Sequence, residues 1–540
     1  MLKLIFVLFS LFYSTYAFRA LFLASNVGHS HIEYTGRLAD LLVDAGHEVD
    51  FVVEVWNNFY KQNGSKKANV IRFTGKNLDA MEEIASKISV YADAFQNDMT
   101  IAEYALFGQI TGLHCEAILS DHELLSYLKT RNYTVGLAEG YDGCAFAVFR
   151  LLGIKSIHET NAIAMPETTA FAHGIPYDFR HIAVMHNDAQ VGPIRKFTDM
   201  LRNFYEYLVV RYHLEYAQYG PTENAIQKAL GANHPTISEM RRRTSYVWVN
   251  TYEVMDYTRL NSPKVKHIGG IAVNRNSGKL NKETEQIFEQ ANKGVVLVSF
   301  GSLVNTLYMK ESMRKQFLEM FASFPDYQFI WRFTEVNDEI LTDVKNYTNV
   351  HVFKWVQQTA ILSHPRTAAF VSHIGLNSLN EAVYYGTPLV AVPFFGDQPI
   401  NAGTVLNAEN GVHVSRKDIG ELKGALNEVL NNKKYRERAQ DLKEKVRNMP
   451  ISPEETFVKF VEYAERFDVT KDLMLDAANE TIIQEFNLDI IGLGLLFALV
   501  VGYLTYKASH YFYICAVLAL NVVLRILNSV AVTSRSKKVD

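Results

Sequence analysis

Cysteine is scarce: Cys115, Cys144 and Cys515 are all that 540 residues contain. Three scattered sulfurs exclude a disulfide-dense scaffold and offer no zinc-ligand spacing. Cys115 and Cys144 admit either one bridge in an oxidising compartment or two buried thiols. Net charge is also small, −4 with histidine neutral, which gives no reason to expect nucleic acid as a partner. A repeat of 20–50 residues is lacking, so a solenoid is excluded.

The informative apolar runs lie at the two ends. Met1 to Lys3, then Leu4 to Phe12, then Thr15-Tyr-Ala17 form a basic start, an apolar middle and a small-residue cleavage site. Residues 1–17 therefore read as a secretory signal peptide. Ile490 to Tyr506 carries no charge between Asp489 and Lys507, near the lower limit of a membrane span. Lys507, Arg525, Arg535, Lys537 and Lys538 lie beyond it and predict a cytosolic C-terminus. Lys537-Lys-Val-Asp540 reads as a dilysine retrieval address of endoplasmic-reticulum membrane proteins. A second uncharged stretch, Ala508 to Leu524, follows with no glycine or proline in between. One crossing over 488–507 is favoured over a hairpin, with residues 508–540 prolonging the helix or lying at the membrane surface before the tail. Sequons at Asn63, Asn132, Asn346 and Asn479 fit glycosylation of a lumenal body.

Between the ends, apolar strand-like runs alternate with helical patterns: Ala20–Ala24, Val49–Val53, Val135–Ala138, Val295–Phe300, Phe329–Trp331, Ala369–Ser372 and Leu389–Pro393. Such alternation predicts parallel sheets covered by helices. A polar joint over 273–285 divides the body into two doubly wound, Rossmann-like α/β lobes, 18–272 and 286–450. A helical tail, 451–487, leads back to the membrane. Within the first lobe Phe197, Leu201, Phe204, Leu208 and Tyr212 recur at helical spacing among Arg195, Lys196, Arg202 and Arg211. Packing of that stripe on its own domain is favoured over a helix lying on a bilayer.

The second lobe carries the densest chemistry. Trp355-Val-Gln-Gln358 is followed by His373-Ile-Gly-Leu-Asn-Ser-Leu-Asn-Glu381 and by Asp397-Gln398. His373 to Ser378 reads as a polar turn at the carboxyl end of a buried strand, with Asn377 and Ser378 as helix caps. Ligands of open α/β sheets bind there, and free N–H groups at a helix start favour a diphosphate. The order and spacing of these residues resemble the nucleotide-sugar signature of the UDP-glycosyltransferases, in particular their membrane-bound UDP-glucuronosyltransferase branch. The resemblance implies a glycosyltransferase fold of the GT-B type. It places Trp355 on uracil and Gln358 near uracil and ribose. His373, Gly375, Asn377 and Ser378 would hold the diphosphate, with Ser302 as a donor from the other phosphate loop. Glu381 would take the ribose hydroxyls, and Asp397 and Gln398 the sugar. Ile374 stands where membrane members have glycine.

Ser25-Asn-Val-Gly-His-Ser-His31 closes the first strand. Sugar transfer to a hydroxyl needs a base, and an imidazole suits that task near neutral pH. The family register before Gly46-His47 selects His31 over His29, and the helix start is expected to keep it neutral. The family's partner aspartate falls on Glu139, one methylene longer, with Asp142 as a neighbouring alternative. The implied reaction is an inverting, metal-independent transfer of glucuronic acid or glucose from UDP to a small lipophilic alcohol or phenol. Neither a metal nor a cofactor is expected, since no Asp-x-Asp pair sits in a suitable loop. The vertebrate arginine before an asparagine is Val249 before Asn250 here, so UDP-glucuronic acid and UDP-glucose both stay open as donors. A homo-oligomer stays open too. A UDP-sugar-binding membrane protein without turnover is the alternative.

Overall fold

The structure, a computed structural model, describes residues 17–536 except 57, 59, 60, 89–92, 185–190 and 193. Residues 1–16 of the leader and the dilysine pair lie outside the described residues. One compact unit ends at Ala478 and a second comprises Asn479–Asp540.

The first unit contains two parallel sheets. Strands β1 (Arg19–Ser25), β2 (Glu48–Glu54), β3 (Asn69–Phe73), β4 (Val135–Glu139), β5 (Ser156–Asn161), β6 (Tyr246–Val249) and β7 (Val265–His267) are ordered β3-β2-β1-β4-β5-β6-β7. Strands β8 (Gly294–Ser299), β9 (Tyr327–Arg332), β10 (Val350–Phe353), β11 (Thr367–Ser372), β12 (Leu389–Ala391) and β13 (Gly411–His413) are ordered β10-β9-β8-β11-β12-β13. Central strands such as Gly294-Val-Val-Leu-Val-Ser299 are buried throughout. That is the pattern of sheets covered on both faces. In each sheet the order reverses beside the first strand, between β1 and β4 and between β8 and β11. Crevices at such switch points take ligands.

The helices that shape the site or its surroundings are α1 (His29–Asp44), α2 (Ile101–Leu119), α3 (Gly143–Leu151), α4 (Phe197–Val209), α5 (Glu215–Leu230), α6 (Leu376–Tyr385), α7 (Gln398–Ala408), α8 (Pro453–Arg466) and α9 (Leu488–Ser536). A disulfide joins Cys115 of α2 to Cys144 of α3. The lobes share a core. Phe95, from the segment before α2, packs against Phe300 and Phe394 of the second sheet's loops, and Asp98 beside it pairs with Arg416 and Lys417. The tail turns back on itself: Phe457, Val461 and Ala464 of α8 pack with Phe18 and Trp248 of the first lobe.

Two local readings are corrected. First, α6 begins at Leu376 with Gly375 as its N-cap. Asn377 and Ser378 thus lie in the first turn, where side chains project alongside the open N–H groups. Second, the helix around residue 200 buries Asn203 and Tyr207, and the following π turn (Val210–Leu214) buries Val210 and Leu214. The apolar stripe read from the sequence stays largely outside, with Phe197 69% and Leu201 49% exposed. Aromatic partners from the chain just before it, Phe171, Tyr177 and Phe179, meet Tyr207 and decide which face turns inward. At the C-terminus the two uncharged stretches form one continuous helix, α9, apolar enough to cross a membrane over Leu488–Thr533. No turn separates them.

Candidate active site

Parallel pairing brings the first cluster together. β1 and β4 are neighbours, with Leu23 opposite Ala138. The residues leaving their carboxyl ends must therefore meet above the switch point. Helix α1 starts after the N-cap Gly28, so both histidines occupy its first turn. They diverge from there. His29 Nδ1 faces Glu33 Oε2 at 3.4 Å, one turn on. His31 Nδ1 lies 2.7 Å from Glu139 Oε2 and 3.1 Å from Oε1. The Nδ1–H donates to the carboxylate, which leaves Nε2 as the nitrogen for chemistry.

Burial opposes the imidazolium of His31, but the Glu139 charge and hydrogen bond, joined by the more distant Asp397 charge, raise its pKa above the usual 6.5. The helix start was expected to disfavour the imidazolium, and the surroundings of the ring act in the opposite direction. A paired carboxylate at hydrogen-bond distance outweighs a partial dipole charge. Asp142 is elsewhere. It caps α3 through the N–H of Ala145 and lies buried with Glu54 and His114, where burial and the Glu54 carboxylate push its pKa well up.

An aromatic wall adjoins His31. Tyr141 meets His31 edge-on at 5.6 Å between ring centroids and shares a 2.7 Å hydrogen bond with Ser25 Oγ. Trp56 and Phe107 pack against it at 5.8 and 6.0 Å. This lining was not read from the sequence, since its three rings come from separate loop and helix positions.

The second cluster follows from β8 pairing with β11, Ser299 opposite Ser372. The His373 ring lies between two glycines. A Cβ on Gly301 or Gly375 would stand only 2.4 or 2.6 Å from its Nε2, and Gly301 also has φ +72°. Burial, with help from the Arg332 charge, lowers the His373 pKa to about 4, so a neutral ring faces this turn. Ile374 has φ +63°, the left-handed region that glycine adopts freely and a β-branched residue does not. Its backbone is held by Ser372 Oγ, which accepts from Ile374 N, and by Asn401, which donates to Ile374 O, each at 3.0 Å.

Gln358, Ser378 and Glu381 converge. Gln358 Nε2 donates to Ser378 Oγ at 3.0 Å and to Glu381 Oε2 at 2.6 Å. Burial lifts the Glu381 pKa to about 7 against that hydrogen bond, and the Glu33 charge of α1 adds to the lift. Trp355 is 70% exposed and offers an open ring face. Arg332 stands 5.9 Å from that ring and donates to the carbonyl of Gly301. Asp397 accepts from Asn401 at 2.7 Å, and burial raises its pKa while the His31 charge lowers it. Gln398 is buried with its Oε1 accepting from Phe394 N at 2.8 Å. Ser302 is exposed on the loop after β8. Asn377 Oδ1 accepts from Asn250 Nδ2 at 2.9 Å, a bond between the lobes.

Arg332 and Asn250 were not assigned roles from sequence. Each is a polar residue ending a buried apolar strand, Phe329-Ile-Trp-Arg332 and Trp248-Val-Asn250. That signal could have found both.

Residues 21–520 match the family described as "UDP-glucoronosyl and UDP-glucosyl transferase". A putative UDP-glucuronosyltransferase, ugt-48, of Caenorhabditis elegans is 29% identical over 88% of this chain and 91% of its own. UDP-glucuronosyltransferase 1A9 of Mus musculus is 26% identical over 88% of each chain. A UDP-glucosyltransferase from Polygonum tinctorium superposes with a TM-score of 0.58 at 16% identity, covering 84% of this chain and 99% of its own. The glycotransferase of kitacinnamycin gives the same TM-score at 17% identity, covering 83% and 98%. These structures share the two-lobed GT-B fold. The chain belongs to the UDP-glucuronosyl and UDP-glucosyl transferase family, as a glycosyltransferase of that fold.

Proposed function

We propose that this enzyme transfers a hexosyl group, glucuronic acid or glucose, from its UDP-sugar to a hydroxyl of a small lipophilic alcohol or phenol, with inversion at the anomeric carbon. The observation that carries the reading is the His31–Glu139 contact at 2.7 Å, with Asp397 of the other lobe close enough to act on His31 by charge. The neutral ring takes the acceptor proton on Nε2. The acceptor oxygen attacks the anomeric carbon as the bond to the UDP oxygen breaks, and that electron pair leaves on the diphosphate. Glu139 keeps the ring oriented and stabilises the imidazolium that forms. The α6 N-terminus, His373, Asn377, Ser378 and Ser302 stabilise the leaving charge, with Arg332 nearby as a cation; the chemistry asks for no metal or cofactor. Trp355 carries the uracil, Gln358 and Glu381 the uridine ribose, and Asp397 with Gln398 the sugar. The aromatic wall of Tyr141, Trp56 and Phe107 favours an aromatic or lipophilic acceptor.

The enzyme reading extends to its setting. The Cys115–Cys144 bridge and the exposure of Asn63, Asn132, Asn346 and Asn479 support lumenal lobes that are glycosylated. The apolar α9 supports a single-pass anchor in the endoplasmic-reticulum membrane, with a cytosolic tail. Incubating membranes that contain the chain with UDP-glucose, UDP-glucuronate or UDP-galactose and a simple phenol tests the reaction. A β-linked product from one of the first two, lost in His31→Ala, is the expected result. An α-linked product overturns inversion, and unchanged turnover in His31→Ala overturns the base.

A further inference from the structure

We propose that Tyr219 and Arg241 are positioning residues for Glu139: they hold the peptide that follows it and so aim its carboxylate at His31 Nδ1. The inference rests on the reading of His31 as base and Glu139 as its partner. The chain leaves β4 at Glu139 and stays fixed for one residue more. Gly140 N donates to Thr160 O at 3.0 Å, which prolongs the pairing of β4 with β5. On its other side Gly140 O accepts from Tyr219 Oη of α5 at 2.8 Å. That hydroxyl has one proton to give, and it accepts in turn from Arg241 Nη1 at 2.9 Å.

Arg241 is itself locked. It lies in a short helix, Ile237–Arg242, and grips Glu159 of β5 with two parallel bonds, Nη2 to Oε1 at 2.7 Å and Nε to Oε2 at 3.0 Å. Thr169 Oγ1 donates to Glu159 Oε1 at 2.7 Å, and His173 Nε2 lies 3.0 Å from Oε2. Arg241, Glu159 and Thr169 are fully buried. The backbone after Glu139 lies directly against this pair, because a Cβ on Gly140 would stand 2.4 Å from Glu159 Oε1 and 2.8 Å from Arg241 Nη2. A buried ion pair is often no more stabilising than apolar side chains of the same volume, so stability alone does not account for it. Its geometric effect is direct. The planar fork held by Glu159 sets the direction of the N–H offered to Tyr219, and a charged donor keeps that hydroxyl turned toward Gly140 O. Glutamate has one more rotatable bond than aspartate before its carboxylate. A dyad built on glutamate therefore depends more on a backbone that does not move.

The test compares kcat/KM against pH for the full chain in membranes and for Tyr219→Phe, which keeps the ring and removes only the hydroxyl. The charges acting on His31 are Glu139 and Asp397, and the Tyr141 ring meets it edge-on; the substitution alters none of them. With the Gly140 peptide loosened, Glu139 should hold the His31 proton less firmly. The acid limb is expected to move about half a pH unit lower and kcat to fall about fivefold. KM for the UDP-sugar should stay as it is, since Tyr219 and Gly140 belong to the lobe opposite the nucleotide. Loss of folded enzyme scales the whole profile and leaves the limb in place, so an unmoved limb overturns the proposal whatever the rate. Arg241→Lys keeps a cation against Glu159 but loses the fork, and should move the limb the same way; an unmoved limb there overturns the role of Arg241. Tyr219→Phe made in Glu139→Gln is expected to displace the limb no further, and a displacement as large as in the parent shows that Tyr219 acts elsewhere and overturns its role. Failure of the underlying reading looks different: the limb would not respond to Glu139→Gln, or turnover would survive His31→Ala, and the proposal would fall with it.

Discussion

His31 Nδ1 and Glu139 Oε2 lie 2.7 Å apart, though 108 residues separate them. Their meeting is a consequence of strand order, since β1 and β4 are neighbours and both residues leave at the carboxyl edge. Because Glu139 raises the His31 pKa, the ring is protonated below that value and must lose its proton before it can act as base. Turnover should rise with pH through an acid limb lying above 6.5. Glu139→Gln removes the charge that holds the proton, so its limb moves to lower pH while kcat falls. His31→Ala should cost about 10²–10⁴ in kcat. Profiles of kcat/KM against pH for the two enzymes check this, and an unshifted limb in Glu139→Gln contradicts it.

Glu381 supplies a second pH dependence of opposite origin. Burial raises its pKa to about 7, so the carboxylate proposed to accept ribose hydroxyls forms only as pH rises through neutrality. UDP should bind more tightly at pH 8 than at pH 6. Glu381→Gln should bind about tenfold more weakly at pH 8, the worth of a hydrogen bond to a charged group, and should lose most of the pH dependence. Calorimetric titration of both enzymes at the two pH values separates this carboxylate from the titration of UDP itself, which is common to both.

Legibility differed by the range of the interaction. Buried parallel strands such as Val295–Phe300 and Ala369–Ser372 are local patterns, and the structure has strands there, at Gly294–Ser299 and Thr367–Ser372. Gln358, Ser378 and Glu381, assigned to the nucleotide by resemblance, sit within 24 positions of one another, and the structure joins them by hydrogen bonds. Short edge strands such as Val350–Phe353 and Gly411–His413 were not read, because three or four residues carry too little periodicity. The inward face of α4 was misread for a different reason: its buried residues are Asn203 and Tyr207, and a polar amide that donates to Phe179 O and Ile182 O leaves no apolar stripe to read, while Phe171, Tyr177 and Phe179 meet Tyr207 from outside the helix. Asn250 meeting Asn377 across the lobes is a tertiary fact with no local trace beyond a polar residue ending a buried strand.

That contact carries a third prediction. Asn250 Nδ2 donates to Asn377 Oδ1 at 2.9 Å, which fixes the Asn377 amide with its own NH2 turned away from Asn250, as the proposed diphosphate contact requires. Asn250 is in turn held by Asn380, which donates to its carbonyl at 2.8 Å. Asn250→Asp presents only acceptors toward Asn377 and should flip or free that amide. UDP affinity is expected to fall about fivefold to tenfold, the worth of about 1 kcal/mol for one neutral hydrogen bond, although residue 250 belongs to the lobe opposite the nucleotide. Unchanged UDP affinity in Asn250→Asp, measured on folded enzyme, removes this role.

Ile374 sets backbone strain against packing. Its φ of +63° costs a β-branched residue about 1–2 kcal/mol, and its fully buried side chain in the second lobe's core offsets that cost. Substitution by alanine removes the packing and keeps the strain, because alanine also carries a Cβ into the left-handed region. Substitution by glycine removes both. Elsewhere in a folded chain glycine is less stable than alanine by about 0.5–1 kcal/mol, but here the order should reverse, with Ile374→Gly melting above Ile374→Ala. Both should melt below the native chain, because a buried isoleucine cut back to this size loses about 2–5 kcal/mol, more than the strain returned. Thermal midpoints of the three chains, read in the same detergent or vesicle, decide it. An alanine variant more stable than the glycine variant would show that the turn relaxes out of the left-handed region when the isoleucine is gone, and that its packing rather than the fold of the phosphate loop imposes the conformation.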